Sequence, residues 1–510
     1  MTMELEFERE TMISWETVAE LTLSQEETLE SIVPDACPDI LRIVDVCGQA
    51  VLSGKQAREG AAVVSGMVRA VILYQPEGSD GLRRMEMSLP FSCQAEVPGL
   101  TERGKVFASP RLRCAEARAL NPRKVLLRVD LVVDVAACRP VEQSICQGVL
   151  ADEGNAICQR QFQGETYQLC CVEEKPFTFT ETMRLQTNQG EVPQIMAIWA
   201  QPICTESKLI GTKLIFKGMA EVRMLLQEPG GSMFASRESL PFSQIMEISG
   251  SGEESDCQIQ VELSELRWET DAGDERELEI TLELLAQARV YCRRPVKLLQ
   301  DLYSTAWQTD TEYEKQSLCR LEEQSVRPQA VRELIETEET VRSVVDGRLS
   351  LGQLTQSREG AQLTLTAEAW ITALYLDEKG LVQCVRRMVP VSCRLDCPKG
   401  GRCGCLCTCP GEVFLSPGVG GVEVRFTLEF HCSMVSQNPV LCVQTARLGE
   451  ARSTDQSTSP SVVLRMAAPG EDVWDIAKAY GTTTQQILQA NGLEEGELPT
   501  GKMLLIPRVR

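Results

Sequence analysis

The chain has 510 residues, 43 % of them apolar and only 5 % aromatic, so its length implies several domains with cores of Val, Leu, Ile, Met and Cys. A formal net charge of −22 excludes a general binder of the nucleic-acid backbone, which needs a basic surface. A single histidine, His431, leaves little room for catalysis by a histidine base or for a His-rich metal site. In chain order, the acidic start Met1-Thr-Met-Glu-Leu-Glu has neither the basic nor the apolar region of a secretory signal, and the expectation is a chain that stays where it is made. The most apolar stretch, Val125 to Ala137, is broken by Arg128, Asp130 and Asp134, so no transmembrane span is expected.

Three segments then repeat one pattern. Val64-Ser-Gly-Met-Val-Arg-Ala-Val-Ile-Leu-Tyr leads through a turn at Pro76-Glu-Gly to Ser88-Leu-Pro-Phe-Ser. Phe216-Lys-Gly-Met-Ala-Glu-Val leads through Pro229-Gly-Gly to Ser239-Leu-Pro-Phe-Ser, and Leu365-Thr-Ala-Glu-Ala-Trp leads through Glu378-Lys-Gly to Met388-Val-Pro-Val-Ser. The proline recurs as Pro90, Pro241 and Pro390, and a second echo links Cys138-Arg-Pro-Val to Cys292-Arg-Arg-Pro-Val. Period-two alternation, as in Lys124-Val-Leu-Leu-Arg-Val-Asp-Leu, reads as antiparallel strand. The recurring proline suits a strand start or edge, because it cannot donate to a central ladder. Between Val296 and Ser304 the spacing of Leu298, Leu299, Leu302 and Tyr303 predicts a short helix.

Most of the 22 cysteines read as small buried hydrophobes, with disulfides not the default. The densest group is Cys393, Cys397, Cys403, Cys405, Cys407 and Cys409. Cys403, Cys405, Cys407 and Cys409 would share one face if extended, and thiolates there could take zinc. Their spacing is not a repeated zinc-ribbon pair, however, and Gly400, Gly401 and Gly404 favour an unligated loop over a metal site or a disulfide cross-link, with no metal or cofactor expected. Cys393 falls in the repeat slot of Cys93, which suggests packing. The polar run from Leu448 to Ser461 predicts a flexible linker. Acidic clusters such as Glu333 to Glu339 read as solvated faces, and His431 as a structural side chain in a strand.

From residue 462 the pattern becomes β-α-α-β. Val462-Val-Leu opens a strand, Asp472 can cap a helix carrying Val473, Ile476, Ala477 and Tyr480, and Gly481 can end it. Thr484 is placed to cap a second helix with Ile487, Leu488 and Asn491, Gly492 to stop it, and Met503-Leu-Leu-Ile-Pro closes the module. Val473, Ile476 and Leu488 read as core, whereas Trp474 divides evenly between packing and interaction.

The stretch Pro469-Gly-Glu-Asp-Val-Trp-Asp-Ile-Ala-Lys-Ala-Tyr-Gly, with Ile487-Leu-Gln-Ala-Asn-Gly-Leu and Gly501-Lys-Met-Leu-Leu-Ile-Pro, resembles the LysM family. LysM domains bind polymers of N-acetylglucosamine. By that resemblance the groove is formed by Gly470, Glu471, Asp472 and Val473 facing Asn491, Gly492, Leu493 and Glu494, with Trp474 and Lys478 as candidate partner contacts. This chain departs from the family in having Arg465 and Ala467 ahead of Pro-Gly, and Gly470-Glu-Asp-Val in the groove loop. The three hairpin patterns resemble the SPOCS domains of sporulation proteins. The expected architecture is therefore mostly β: SPOCS-like domains at 1–150, 151–304 and 305–447, a linker at 448–461 and a LysM domain at 462–510. The combination resembles spore-coat morphogenetic proteins. It implies a non-enzymatic assembly role in the mother cell, at the forespore surface, with a coat morphogenetic ATPase as partner and peptidoglycan as the alternative ligand.

Overall fold

The computed structural model describes residues 3–78, 81–150, 156–186, 191–249, 255–271, 273–397, 400–452, 462–494, 496 and 501–507. After a two-residue strand β1 (Met3–Glu4), the chain runs through one scheme of strands three times. The first pass is a long β2 (Phe7–Ile32), a meander of β3 (Ile40–Arg58), β4 (Ala61–Pro76) and β5 (Arg83–Glu96), then β6 (Lys105–Asn121) and a long β7 (Lys124–Val149). The second is β8 (Ile157–Arg184), the meander β9 (Gln194–Ile210), β10 (Lys213–Gln227) and β11 (Met233–Glu247), then β12 (Ser255–Thr270) and β13 (Glu277–Ser304). The third is β14 (Trp307–Glu336), the meander β15 (Val341–Glu359), β16 (Gln362–Asp377) and β17 (Val382–Asp396), then β18 (Arg402–Thr408), β19 (Phe414–Gly418) and β20 (Gly421–Ala451).

In each repeat the last strand lies between the first and the one or two that precede it: β2-β7-β6, β8-β13-β12, and β14-β20 with β18 and β19. The meander packs on that sheet. The first core joins Val64, Val68 and Ile72 to Val125, Leu127 and Val129; the second joins Phe216 and Met224 to Leu278 and Ile280; the third joins Leu365 and Ile371 to Val422 and Leu428. Alternation along the strands produces these cores, because successive side chains point to opposite faces. The recurring prolines hold equivalent places, Pro90 opposite Met67, Pro241 opposite Met219 and Pro390 opposite Glu368. Cys93 and Cys393 likewise stand opposite Val64 and Leu365, both buried.

Each repeat touches the other two. Gln287 of β13 bridges the backbone N–H and carbonyl of Ala108 in β6, at 3.1 and 3.0 Å. Thr166 of β8 accepts a hydrogen bond from the Cys319 N–H of β14, at 3.2 Å. Between the first and third repeats, the buried Asp45 is ion-paired with Arg348 and lies 3.7 Å from Arg386. Burial works against the charge on Asp45, but the two guanidiniums outweigh it and hold the carboxyl below its usual range. A small apolar core of Leu73, Met196, Leu225 and Leu374 joins all three meanders. The long strands flank a half-open cavity of about 1530 Å³, lined among others by Trp15, Arg289, Tyr291 and Cys405.

Three expectations are corrected. Val296–Ser304 is not a helix but the end of β13, paired to β8 except at Gln300. A bulge at Gln300 breaks the period of two, so Leu299 and Leu302 enter the same small core while Leu298 enters another. That phase slip imitates the i, i+3 spacing of a helix. The glycine-rich cysteine segment is not a loop, since Arg402–Thr408 is a strand on β20. Finally, the stretch expected as a linker begins inside β20, which runs to Ala451, and its residues 453–461 lie outside the described residues.

Candidate functional site

The C-terminal module comprises β21 (Val462–Met466), α1 (Val473–Tyr480), α2 (Thr484–Asn491) and β22 (Met503–Pro507), with β21 and β22 antiparallel. Local chemistry sets the helix ends. Asp472 caps α1 by accepting from the Asp475 N–H at 2.9 Å, and Asp475 returns a bond to the Asp472 N–H. Gly481 and Gly492 end the helices at φ 64° and 62°, where a Cβ would be strained. The cap of α2 is Thr483 rather than Thr484: its hydroxyl accepts from the Gln486 N–H, and the Gln486 side chain reaches back. Val473, Ile476, Ala477, Ile487, Leu504 and Ile506 form the core, with Leu488 packed at its edge.

That core contains one residue from outside the module. Tyr303, at the end of β13, is fully buried among these side chains. Its ring meets Trp474 edge-on at 4.9 Å, and its hydroxyl donates to the Thr482 carbonyl at 2.8 Å. Two residues earlier, Asp301 receives the Trp474 indole N–H at 2.8 Å and the Lys478 ammonium at 2.7 and 2.8 Å. Tyr313 of β14 donates to the same carboxylate at 2.6 Å. Burial disfavours the Asp301 charge, yet the bonds from Lys478, Tyr313 and Trp474 prevail and keep its pKa below the usual value. For Lys478, burial is likewise outweighed by Asp301, and its pKa is raised. Arg160 of β8 adds an ion pair to Asp472 at 2.8 Å.

The residues assigned to the groove from sequence fall into three groups. Trp474, Lys478 and Asp472 face β8, β13 and β14 of the same chain through these contacts. Glu471 accepts from Arg465 at 2.7 Å and from the Ala468 N–H at 3.1 Å, and Val473 is core. Asn491 binds the N–H and carbonyl of Leu505, both at 2.7 Å, and the Ile487 carbonyl at 2.8 Å, so its amide clamps β22 to α2. Gly470, Gly492 and Glu494 are exposed at the loop tips, and Leu493 is half-buried. Sequence reasoning missed Asp301, Tyr303 and Arg160, since nothing local in β8 or β13 signals a contact with residues more than 170 positions away.

The opposite side of the module is different. Val462, Leu464 and Met466 of β21 alternate outward beside Met503 of β22, and Leu464, Met466 and Met503 are 67, 61 and 64 % exposed. The hairpin thus offers an uncovered apolar face.

In the third repeat, Cys403, Cys405 and Cys407 turn inward from β18 and pack on its core, with Cys409 beyond the strand end. Among the described residues, no group of three or more His, Cys, Asp or Glu is arranged to hold a metal ion. In the second repeat Cys170 and Cys292 form a disulfide between β8 and β13, an exception to the expectation of free thiols. His431 stands on β20 with its Nε2 3.2 Å from the Thr408 hydroxyl.

No curated protein matches the chain. The family model for the LysM domain matches residues 468–507, and that for the SipL, SPOCS domain matches 39–118 and 191–269. The two SPOCS segments cover equivalent structure, each a meander plus the strand after it, and the long first and last strands lie outside them. Both domains are of the binding or scaffold kind, and no helix of the described residues is long and apolar enough to cross a membrane. The chain combines SPOCS and LysM domains as SipL-like proteins do, and this architecture fits a sporulation coat protein.

Proposed function

We propose that this chain is a non-enzymatic assembly protein of the spore coat, acting on the mother-cell side of the forespore surface. Three SPOCS-like domains, at 1–150, 151–304 and 305–447, form its body, and its LysM module engages a coat morphogenetic ATPase to anchor the basement layer. The observation that carries this reading is the apolar outer face of the β21–β22 hairpin, with Leu464, Met466 and Met503 uncovered. A contiguous apolar patch on so small a module suits a protein surface better than a sugar. The polar side chains first assigned to partner contact, Trp474 and Lys478, are engaged by Asp301 and position the module on the repeats.

The second reading is a peptidoglycan-binding role. It is favoured by the exposed loop tips, where Gly470 of the first groove loop and Gly492 and Glu494 of the second remain accessible. Full-length Leu464→Glu/Met503→Glu protein separates the two. We expect partner capture by the ATPase to fall at least tenfold, about 1.4 kcal/mol, with no change in sedimentation alongside purified peptidoglycan. Undiminished capture by the variant, or tight wild-type sedimentation with peptidoglycan that Gly492→Trp abolishes, would replace the first reading with the second.

A further inference from the structure

β18 is a seven-residue strand, and among the described residues it pairs with β20 alone. Gly404 and Leu406 face outward between its inward-turned cysteines. Cys405 stands directly opposite Cys432 of β20, and the two sulfurs are 3.6 Å apart. Directly opposed residues of antiparallel strands have Cα atoms about 4.5–5.5 Å apart, inside the roughly 4.4–6.8 Å window that a disulfide spans. Side-chain rotation alone can therefore bring these sulfurs to bonding distance. Cys403, two residues along the same face, stands opposite Met434.

Access and precedent are both present. Cys403, Cys405 and Cys432 line the cavity of about 1530 Å³ between the repeats, which is roomy enough for a small reagent. The second repeat already ties its last strand to a neighbouring strand through Cys170–Cys292. In the first repeat, Cys138 of the last strand faces the hydroxyl of Thr17 at 3.7 Å and has no thiol opposite it. The third repeat holds an opposed pair of thiols between its last strand and the preceding β18, with its bond not formed.

We propose that Cys405 and Cys432 are a site of oxidative modification that cross-links β18 to β20. The co-reactant is a low-molecular-weight disulfide. The Cys405 thiol, the more exposed of the two, loses its proton and attacks one sulfur of that disulfide, giving a mixed disulfide and releasing one small thiol. Cys432 then loses its proton and attacks the Cys405 sulfur, forming the Cys405–Cys432 bond and releasing the second small thiol. The protein gives up two protons and two electrons, and the reagent is reduced to two thiols. A reducing compartment keeps the pair as thiols, and an oxidising one closes it. Closure fastens a short edge strand and encloses β19 in a covalent loop.

The test uses the full chain, purified reduced and then incubated with oxidised glutathione under native conditions. Remaining thiols are blocked with N-ethylmaleimide, and the digest is mapped without reduction. A peptide joining Cys405 to Cys432 should be the first new cross-link, with hydrogen exchange along β18 slowed about tenfold. In Cys405→Ser this peptide disappears and Cys432 is recovered blocked, whereas Cys403→Ser retains the link. The wild-type map decides the question even if a variant misfolds. Recovery of both cysteines blocked while other links accumulate, or glutathione held on Cys405 without closure, would overturn the proposal.

Discussion

The first two repeats and the third share a strand scheme but fill one position differently. Gly66 stands opposite Phe91, and Gly218 opposite Phe242. A Cβ on either glycine would lie 2.2–2.3 Å from the phenyl ring and 2.3 Å from a neighbouring carbonyl, that of Val51 or Ile203. The ring covers the glycine, and the strand alongside closes over it after a one-residue bulge. In the third repeat the pair is Ala367 with Val391, and β15 again gains one residue on β16, but across a longer break, from Leu351 opposite Ala369 to Leu354 opposite Ala367. A smaller ring-side residue and a wider irregularity accommodate the methyl group. Both segments matched by the SPOCS model contain the Gly–Phe pair. The difference shows that the hairpin is specified by the alternation and the proline, while the packing above it is a local solution in each copy.

The repeats also differ at their exits, and here the largest effect is expected. β7 ends at Val149, beside Leu5 and Leu302 in a small core, whereas β13 ends in Tyr303 within the LysM core. Tyr303→Ala removes a fully buried aromatic side chain and should cost about 3–5 kcal/mol, undocking the module. Tyr303→Phe loses only the bond to Thr482, about 1 kcal/mol. Urea unfolding of the full chain measures both. A loss below about 1 kcal/mol for the alanine variant would mean that the module stands without the second repeat.

The Gly–Phe comparison gives a smaller effect: adding a methyl group costs stability in the first two repeats, and removing one costs it in the third. Gly66→Ala and Gly218→Ala should each cost about 1–3 kcal/mol, because neither the ring nor the carbonyl can give way freely. Adding Phe91→Val to Gly66→Ala should recover part of that loss, since contacting residues couple. Ala367→Gly in the third repeat should cost only about 0.5–1 kcal/mol, the ordinary price of a strand glycine. Denaturation midpoints for the four proteins decide the matter. A neutral Gly66→Ala would remove the distinction between the repeats.

How much of this was legible depends on the range of the interaction. The equivalence of Pro90, Pro241 and Pro390 could be read because alternation and turn residues are local signals that recur. The LysM helices could be read because Asp472, Gly481 and Gly492 act within a turn of themselves; only the cap at Thr483 was displaced by one residue. The docking of Trp474 and Lys478 on Asp301 was not legible, since it joins positions 173 and 177 residues apart. The end of β13 misled because a bulge shifted its phase. β18 misled because glycine between cysteines reads as a loop until β20 is there to pair with it.

A last effect, confined to one range of pH, contrasts two seams. Between the first and third repeats, the buried acid Asp45 has two guanidiniums beside it. Between the first and second, Glu262 of β12 lies near Ser109, Arg111 and Lys55, but burial dominates and pushes its pKa up to about 7. The Ser109 hydrogen bond and the Arg111 charge oppose the shift without cancelling it, and Asp134 adds to it. An unfolded glutamate titrates near 4.3. Between about pH 4.3 and 7 the folded chain therefore binds more protons than the unfolded one, and stability falls as pH rises through that window. Above it the penalty is complete and constant. Glu262→Gln removes the penalty, so the variant should be more stable than the wild type by about 1 kcal/mol at pH 8 and nearly equal to it at pH 4.5, the figure being discounted for the solvent that still reaches the side chain. Paired thermal melts at the two pH values provide the measurement. An equal shift at both would show that Glu262 titrates like a surface acid and that the two seams handle their carboxylates alike.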